Sequence, residues 1–238
     1  MTLLIGAISK SHIVITADGL SRVNPTSGAG IGSDAFQKVF PVPGIPVAFA
    51  HHGFNILMGK SIGEFIGDYI RLHGTKISTA SIKEIAEDLR SYTAQPAETV
   101  LADPTNKGVV GFWIAGFSPG KGKSEFYEVC WPDNSDPRKH EIIVLGGDAK
   151  QFIRAYLDQP LGPFRPNSIW QYSVDFVRQY HQALYKKAKD KQDETGQNIF
   201  GGHQHQLVLE KSGWKWTKPP TDGLQPPVIC TLSKKIYG

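Results

Sequence analysis

Short apolar runs, too continuous for a sheet with one face in water, alternate in this chain with grouped blocks of helical periodicity, and that alternation restricts the fold more than any other feature. Residues 3–8 and 13–17 are β-branched-rich runs separated by the polar SKSH, a break of hairpin length. Residues 23–35 combine Pro, Gly and Ser without periodicity and read as a loop, after which 37–42 and 45–51 are strand-like around PVPG. From Asn55 the pattern turns helical, with Ile56, Gly59, Gly63, Ile66 and Ile70 in step, and Ser81 with Glu84 has the form of a capping box opening a second helix. Strand character returns at 108–117, 124–130 and 141–147, helical periodicity at 149–157 and 168–189, and a closing hairpin at 204–216 turns at Lys211-Ser212-Gly213. The order strands, helices, strands, helices, strands fits two stacked antiparallel sheets covered on the outside by helix pairs, an α+β class. Apolar residues of the helices, such as Phe65, Ile66, Phe176 and Val177, are expected on uncovered outer faces, where they would drive self-assembly.

A chain of 238 residues with 40% apolar and 20% charged residues buries a sizeable core as one domain, here residues 1–217, followed by a Pro-rich extension at 218–238. The net charge of +4 is too small to imply a nucleic-acid partner, and the basic run at 186–191 reads as the solvated face of a helix. Cys130 and Cys230 form neither metal spacing nor a disulfide framework. No charged leader precedes a long apolar core, and no run reaches the length of a membrane span, so the expected location is the cytoplasm, with no membrane partner.

Chemistry concentrates at the front of the chain. Removal of Met1 leaves Thr2 with a hydroxyl and a free α-amine, whose ordinary pKa of roughly 7.7 to 8.0 suits proton transfer near neutral pH. A hydroxyl is a poor nucleophile without such a base. The strand pattern puts Thr2 at the start of the first strand, Asp18 at the end of the second and Lys38 at the start of the third, so all three can converge at one sheet end. Lys38 would keep the amine unprotonated and stabilise the developing alkoxide, and Asp18 would orient and neutralise that lysine. Gly53, between a strand and a helix, is the natural backbone donor to an oxyanion.

The stretch from Thr2 to Gly53 resembles the proteasome β-subunit family of N-terminal-nucleophile (Ntn) hydrolases, which includes bacterial ring proteases. Thr2 matches the family's N-terminal threonine, Ala17-Asp18 its Ala-Asp pair, Lys38 its catalytic lysine and residues 50–53 its oxyanion segment; the loop before Lys38 is a few residues longer. The Gly201-Gly202 region and the hairpin after it extend the likeness to about residue 217. The resemblance implies an αββα four-layer sandwich, a threonine peptidase or amidohydrolase acting on a peptide or amide in a homo-oligomeric ring, and no cofactor; an ATPase or unfoldase partner is not specified by it. It also implies that Ser21 and Arg22 bind substrate main chain as an added strand would, with side-chain specificity around His51 and Asn55. Two places depart from the family: Gln197 and Phe200 stand where an Asp and a Ser support the amine, and Gly146 stands where a second serine is expected in a Gly-Ser-Gly turn.

Two rival readings follow. A ring or scaffold subunit of the same architecture could keep Thr2, Asp18 and Lys38 without catalysis. A metal site could use His51, His52, His203 and His205, although no Cys or acidic residue completes a zinc pattern around them. Gly201-Gly202 fits a close backbone contact better than a phosphate loop, since no Lys-Ser/Thr follows.

Overall fold

The structure, a computed structural model, describes residues 2–22, 31–33, 35–120, 122–132, 136–154, 171–197 and 199–220. Met1, Cys230 and the Pro-rich extension after residue 220 lie outside the described residues, as do most of the 23–35 loop, residues 155–157 of the third helical stretch and the start of the fourth. In chain order the elements are β1 (Leu4–Ile8), β2 (His12–Ala17), β3 (Ser21–Arg22), β4 (Ile31–Ser33), β5 (Val39–Pro41), β6 (Val47–Gly53), β7 (Ile56–Leu57), β8 (Lys60–Ser61), α1 (Ile62–Thr79) and α2 (Ile82–Leu101). They continue with β9 (Val110–Phe117), β10 (Ser124–Trp131), β11 (Arg138–Lys139), β12 (Ile143–Gly146), α3 (Gln151–Arg154), α4 (Val174–Glu194), β13 (His205–Glu210) and β14 (Gly213–Lys218). The fold is α+β, with antiparallel pairing throughout these sheets.

One five-stranded sheet has the order β12-β1-β2-β13-β14 and the other β11-β10-β9-β6-β5. Strand alternation divides the apolar residues into three clusters. Leu4, Ile13, Ile15, Ala48, Ala50, Trp113, Phe126 and Leu207 meet between the sheets. Leu3, Ile5, Val14 and Val208, on the opposite face of the first sheet, pack against Ile153, Val177, Tyr180 and Leu184 of α3 and α4. Phe49, Phe112, Ile114 and Val129 of the second sheet pack against Ile66, Tyr69, Ile85 and Leu89 of α1 and α2. β1 and β2 are therefore wetted on neither face, which is why they are buried at every position and read as unbroken apolar runs. Each fully buried aliphatic side chain contributes about 1.5–3 kcal/mol of transfer free energy.

Three expectations change. Helix α1 does not begin near Asn55: residues 56–61 form a small hairpin whose turn residues Met58 and Gly59 have φ of 50° and 73°. Positive φ at two successive residues selects a tight hairpin turn and excludes a helix. Ser61 then caps α1, with Glu64 reaching back to complete a capping box like that of Ser81 and Glu84 on α2. The apolar helix residues are not an outer patch either, because Phe65, Ile66 and Val177 are buried and Phe176 is half-buried against the α4 cluster. Among the described residues the exposed large apolar side chains are Ile56, Met58 and Leu72. Four strands were expected before the first helix, whereas β3–β4 and β7–β8 add two short ribbons. The basic run of α4 is a solvated face, with Lys186, Lys189 and Lys191 paired to Asp190, Asp193 and Glu194.

Candidate functional site

Thr2, Asp18 and Lys38 come together at one end of the first sheet. Leu3 and Asp18 exchange main-chain and side-chain bonds: the Leu3 N–H donates to Asp18 Oδ1 at 2.8 Å and the Asp18 N–H to the Leu3 carbonyl at 3.2 Å. Thr2 is thereby held at the mouth of β1, 2% exposed. Lys38 precedes β5 by one residue, and its Nζ donates to Asp18 Oδ1 and to the Leu20 carbonyl, both at 2.7 Å. Asp18 is 0% and Lys38 1% exposed, so the pair is held in a low-dielectric setting where it would cost free energy without full hydrogen bonding. That bonding is supplied by the backbone: Asp18 Oδ2 accepts the N–H groups of Leu20 at 3.3 Å and Gly201 at 3.2 Å.

Gly201 is placed by a residue with no role in the sequence reading. Gln192, buried near the end of α4, accepts the Ile199 and Phe200 N–H groups at 2.7 and 2.9 Å on its side-chain oxygen and donates to the Phe200 carbonyl at 3.0 Å. The Gly201 carbonyl in turn accepts from Gly19 and Leu20 at 3.1 and 3.0 Å. No local sequence pattern marks Gln192, because its partners lie in an irregular segment. His205 also joins the site, its Nε2 accepting the Lys38 main-chain N–H at 3.2 Å. Burial, with the nearby Lys38 charge second, pushes the His205 pKa down to about 3, so it stays a neutral acceptor.

The second wall is the turn after β12. Gly147 has φ of 80°, and a methyl group there would lie 2.1 Å from the Thr2 carbonyl oxygen. Glycine is required on both counts. Ala149 donates its N–H to that carbonyl at 3.2 Å. Gly147, rather than the Gly146 singled out by the sequence, is thus the residue against Thr2, while Gly146 pairs with Leu4 and faces Trp113 and His52. Gly53 ends β6 with φ of 104°, where a methyl group would lie 1.8 Å from the Val109 carbonyl oxygen. His51, two residues before it, donates its N–H to the Lys38 carbonyl at 2.9 Å, which ties the Gly53 strand to the lysine.

The other predicted positions fall as follows. Ser21 and Arg22 form β3, paired on one edge with β4 in a two-stranded ribbon, and Asn55 donates to Ser21 Oγ at 2.8 Å. Gln197 is exposed just past α4 and Phe200 is buried against Phe152 and Tyr185, so neither puts a hydroxyl or carboxylate at the amine. The four histidines of the metal alternative make separate contacts: His203 with the Pro219 carbonyl, His205 with the Lys38 amide, His52 with the Glu128 carboxylate, and His51, buried, with the Phe112 ring. Among the described residues no group of three or more His, Cys, Asp or Glu side chains is arranged to hold a metal ion, and no described helix is long and apolar enough to cross a membrane. No protein-family model matches the sequence, and no curated protein is significantly similar to it.

Proposed function

We propose that this protein is a threonine-type Ntn hydrolase resembling proteasome β-subunits, which cleaves a peptide or amide bond with Thr2 after loss of Met1. One observation carries the reading: a single buried carboxylate, Asp18, bonds both the main chain that presents Thr2 and the Lys38 ammonium, at 2.8 and 2.7 Å. A cation in this position disfavours protonation of a neighbouring amine and favours an alkoxide. The three apolar clusters, one between the sheets and one beneath each helix pair, support the αββα reading of the fold.

In the proposed reaction the freed Thr2 α-amine takes the hydroxyl proton as Oγ attacks the substrate carbonyl. The Gly53 N–H donates to the resulting oxyanion, and the amine returns the proton to the leaving nitrogen. The acyl ester on Thr2 is then hydrolysed by water, with the amine again acting as base. The edge of β3 not paired with β4 would receive the substrate main chain beside Ser21 and Arg22. Assembly into a ring and residence in the cytoplasm belong to the same reading and come from the resemblance.

A non-catalytic ring or scaffold subunit is the second reading, favoured by the buried Phe200 and by Gly147 against Thr2, where neither side chain offers a group to the amine. Incubation with a threonine-directed electrophile followed by peptide mapping separates the two. Hydrolase function predicts one adduct on Thr2, whereas an unlabelled chain with native Thr2 at its N-terminus supports the scaffold.

A further inference from the structure

Two glycines clear a slot for one imidazole beside the candidate site. A methyl group at Gly111 on β9 would lie 2.2 Å from His52 Cε1, and one at Gly146 on β12 would lie 3.2 Å from His52 Cδ2. Gly111 belongs to the same sheet as His52 and Gly146 to the facing one, so the buried ring spans the gap between sheets. Its Nε2 lies 3.3 Å from Glu128 Oε1, which also accepts the Trp113 indole N–H at 3.2 Å. The other carboxylate oxygen contacts His140 Nε2 at 3.2 Å and accepts from Arg138.

Burial alone would raise the Glu128 pKa, but hydrogen bonds from His140, His52 and Arg138 outweigh it and hold the group well below the usual carboxylate range. An ionised Glu128 only accepts, so His52 donates from Nε2 and its Nδ1 is left buried with no hydrogen-bond partner among the described residues. A residue needed only to fill space would leave no such atom. What the imidazole supplies is a fixed spacing between two segments of the site. Gly53 follows His52 in the chain, and Gly147, which touches Thr2, follows Gly146.

We propose that His52, oriented by Glu128, is a positioning residue that sets the separation between the Gly53 N–H and the Gly147–Thr2 contact, and with it the alignment of nucleophile and oxyanion donor. The proposal rests on the hydrolase reading above. Its test compares wild type, His52→Ala, His52→Gln and Glu128→Gln for kcat and KM on a short peptide panel, for Thr2 labelling and for denaturant midpoint.

Misplacement of reacting groups by about 1 Å costs up to about a hundredfold in rate, so His52→Ala and Glu128→Gln are each expected to lower kcat at least about tenfold with KM within about twofold. His52→Gln keeps an N–H directed at Glu128 and is expected to recover most of kcat. The proposal is overturned if kcat of Glu128→Gln equals that of wild type, or if His52→Ala and His52→Gln lose kcat equally. Should His52→Ala fail to fold, Glu128→Gln and His52→Gln decide the matter by the same criteria. A wild type that neither cleaves peptides nor labels overturns the hydrolase reading itself, and this proposal with it.

Discussion

Asp18 and Lys38 form a buried ion pair, 2.7 Å from carboxylate oxygen to ammonium nitrogen, at the point where β1, β2 and the start of β5 meet. Asp18 retains three backbone N–H donors, from Leu3, Leu20 and Gly201, whether or not the lysine is present. The pair's part in folding and the part the proposed hydrolysis gives it can therefore be measured separately.

Lys38→Met keeps the bulk of the stem and removes the charge. Breaking a buried pair costs about 3–5 kcal/mol, and the three remaining donors place the expected loss at the lower end, about 3 kcal/mol. Hydrolysis by the folded fraction is expected to fall at least about a hundredfold, the scale of one catalytic charge-stabilising group. Denaturant midpoints and peptide turnover on the same preparations check both numbers. A folded Lys38→Met protein with wild-type turnover would remove Lys38 from the mechanism.

Gln192→Ala removes three hydrogen bonds that hold residues 199 and 200. At about 0.5–1.5 kcal/mol each, the expected destabilisation is about 1.5–4.5 kcal/mol. Because Gly201 would lose its anchor to Asp18, amide exchange at Gly201 should accelerate beyond that of β13, which follows it. Equal acceleration everywhere would mean that Gln192 supports the fold alone.

Acid should destabilise the protein before its carboxylates titrate. Burial pushes His51, His181 and His205 each down to about 3. Unfolded, each binds a proton near the ordinary value of about 6.5, so below that pH the unfolded state holds more protons and stability falls as pH falls. Between pH 7 and pH 5 each such histidine is expected to cost about 2 kcal/mol, and the loss continues toward pH 3. Glu128 has a folded pKa below its unfolded one, so it adds a further loss only below about pH 4.5. Denaturant midpoints at pH 7, 6 and 5 measure the slope, and His181→Gln should flatten it by one histidine's share. A flat profile from pH 7 to 5 would contradict the neutral buried state.

Gly147→Ser tests whether the turn against Thr2 admits a side chain. Its Cβ would meet the Thr2 carbonyl oxygen at 2.1 Å, and the backbone is held at φ of 80°. The serine should therefore destabilise, by about 1–3 kcal/mol for the backbone conformation alone, and lower any hydrolysis instead of raising it. Higher turnover in Gly147→Ser would show that this turn moves to admit a side chain.

The α+β class and the meeting of Asp18 with Lys38 were legible because they rest on local pattern. Unbroken apolar runs at residues 3–8 and 13–17 announce strands buried on both faces, and Thr2, Asp18 and Lys38 sit at strand ends that sheet pairing brings together. The α1 start was misread because Ile56 and Gly59 fall in helical step by coincidence, while the decisive signals, a Met-Gly turn and the Ser61–Glu64 box, are short. The identity of the glycine against Thr2 depends on the register of β12 with β1, and a slip of one residue between Gly146 and Gly147 is invisible to composition. Gln192 was not legible because its partners, Ile199 and Phe200, lie in an irregular segment with no pattern of its own, and the His52–Glu128 pair because its members are 76 residues apart and no local spacing encodes such a contact.

The most direct test of the central claim is the intact mass of the protein purified from its own host, before and after exposure to a threonine-directed electrophile. With Thr2 as nucleophile, the chain lacks Met1 and gains one probe per molecule, mapped to Thr2, with no gain in Thr2→Ala. A chain that keeps Met1 and gains no probe would contradict that claim.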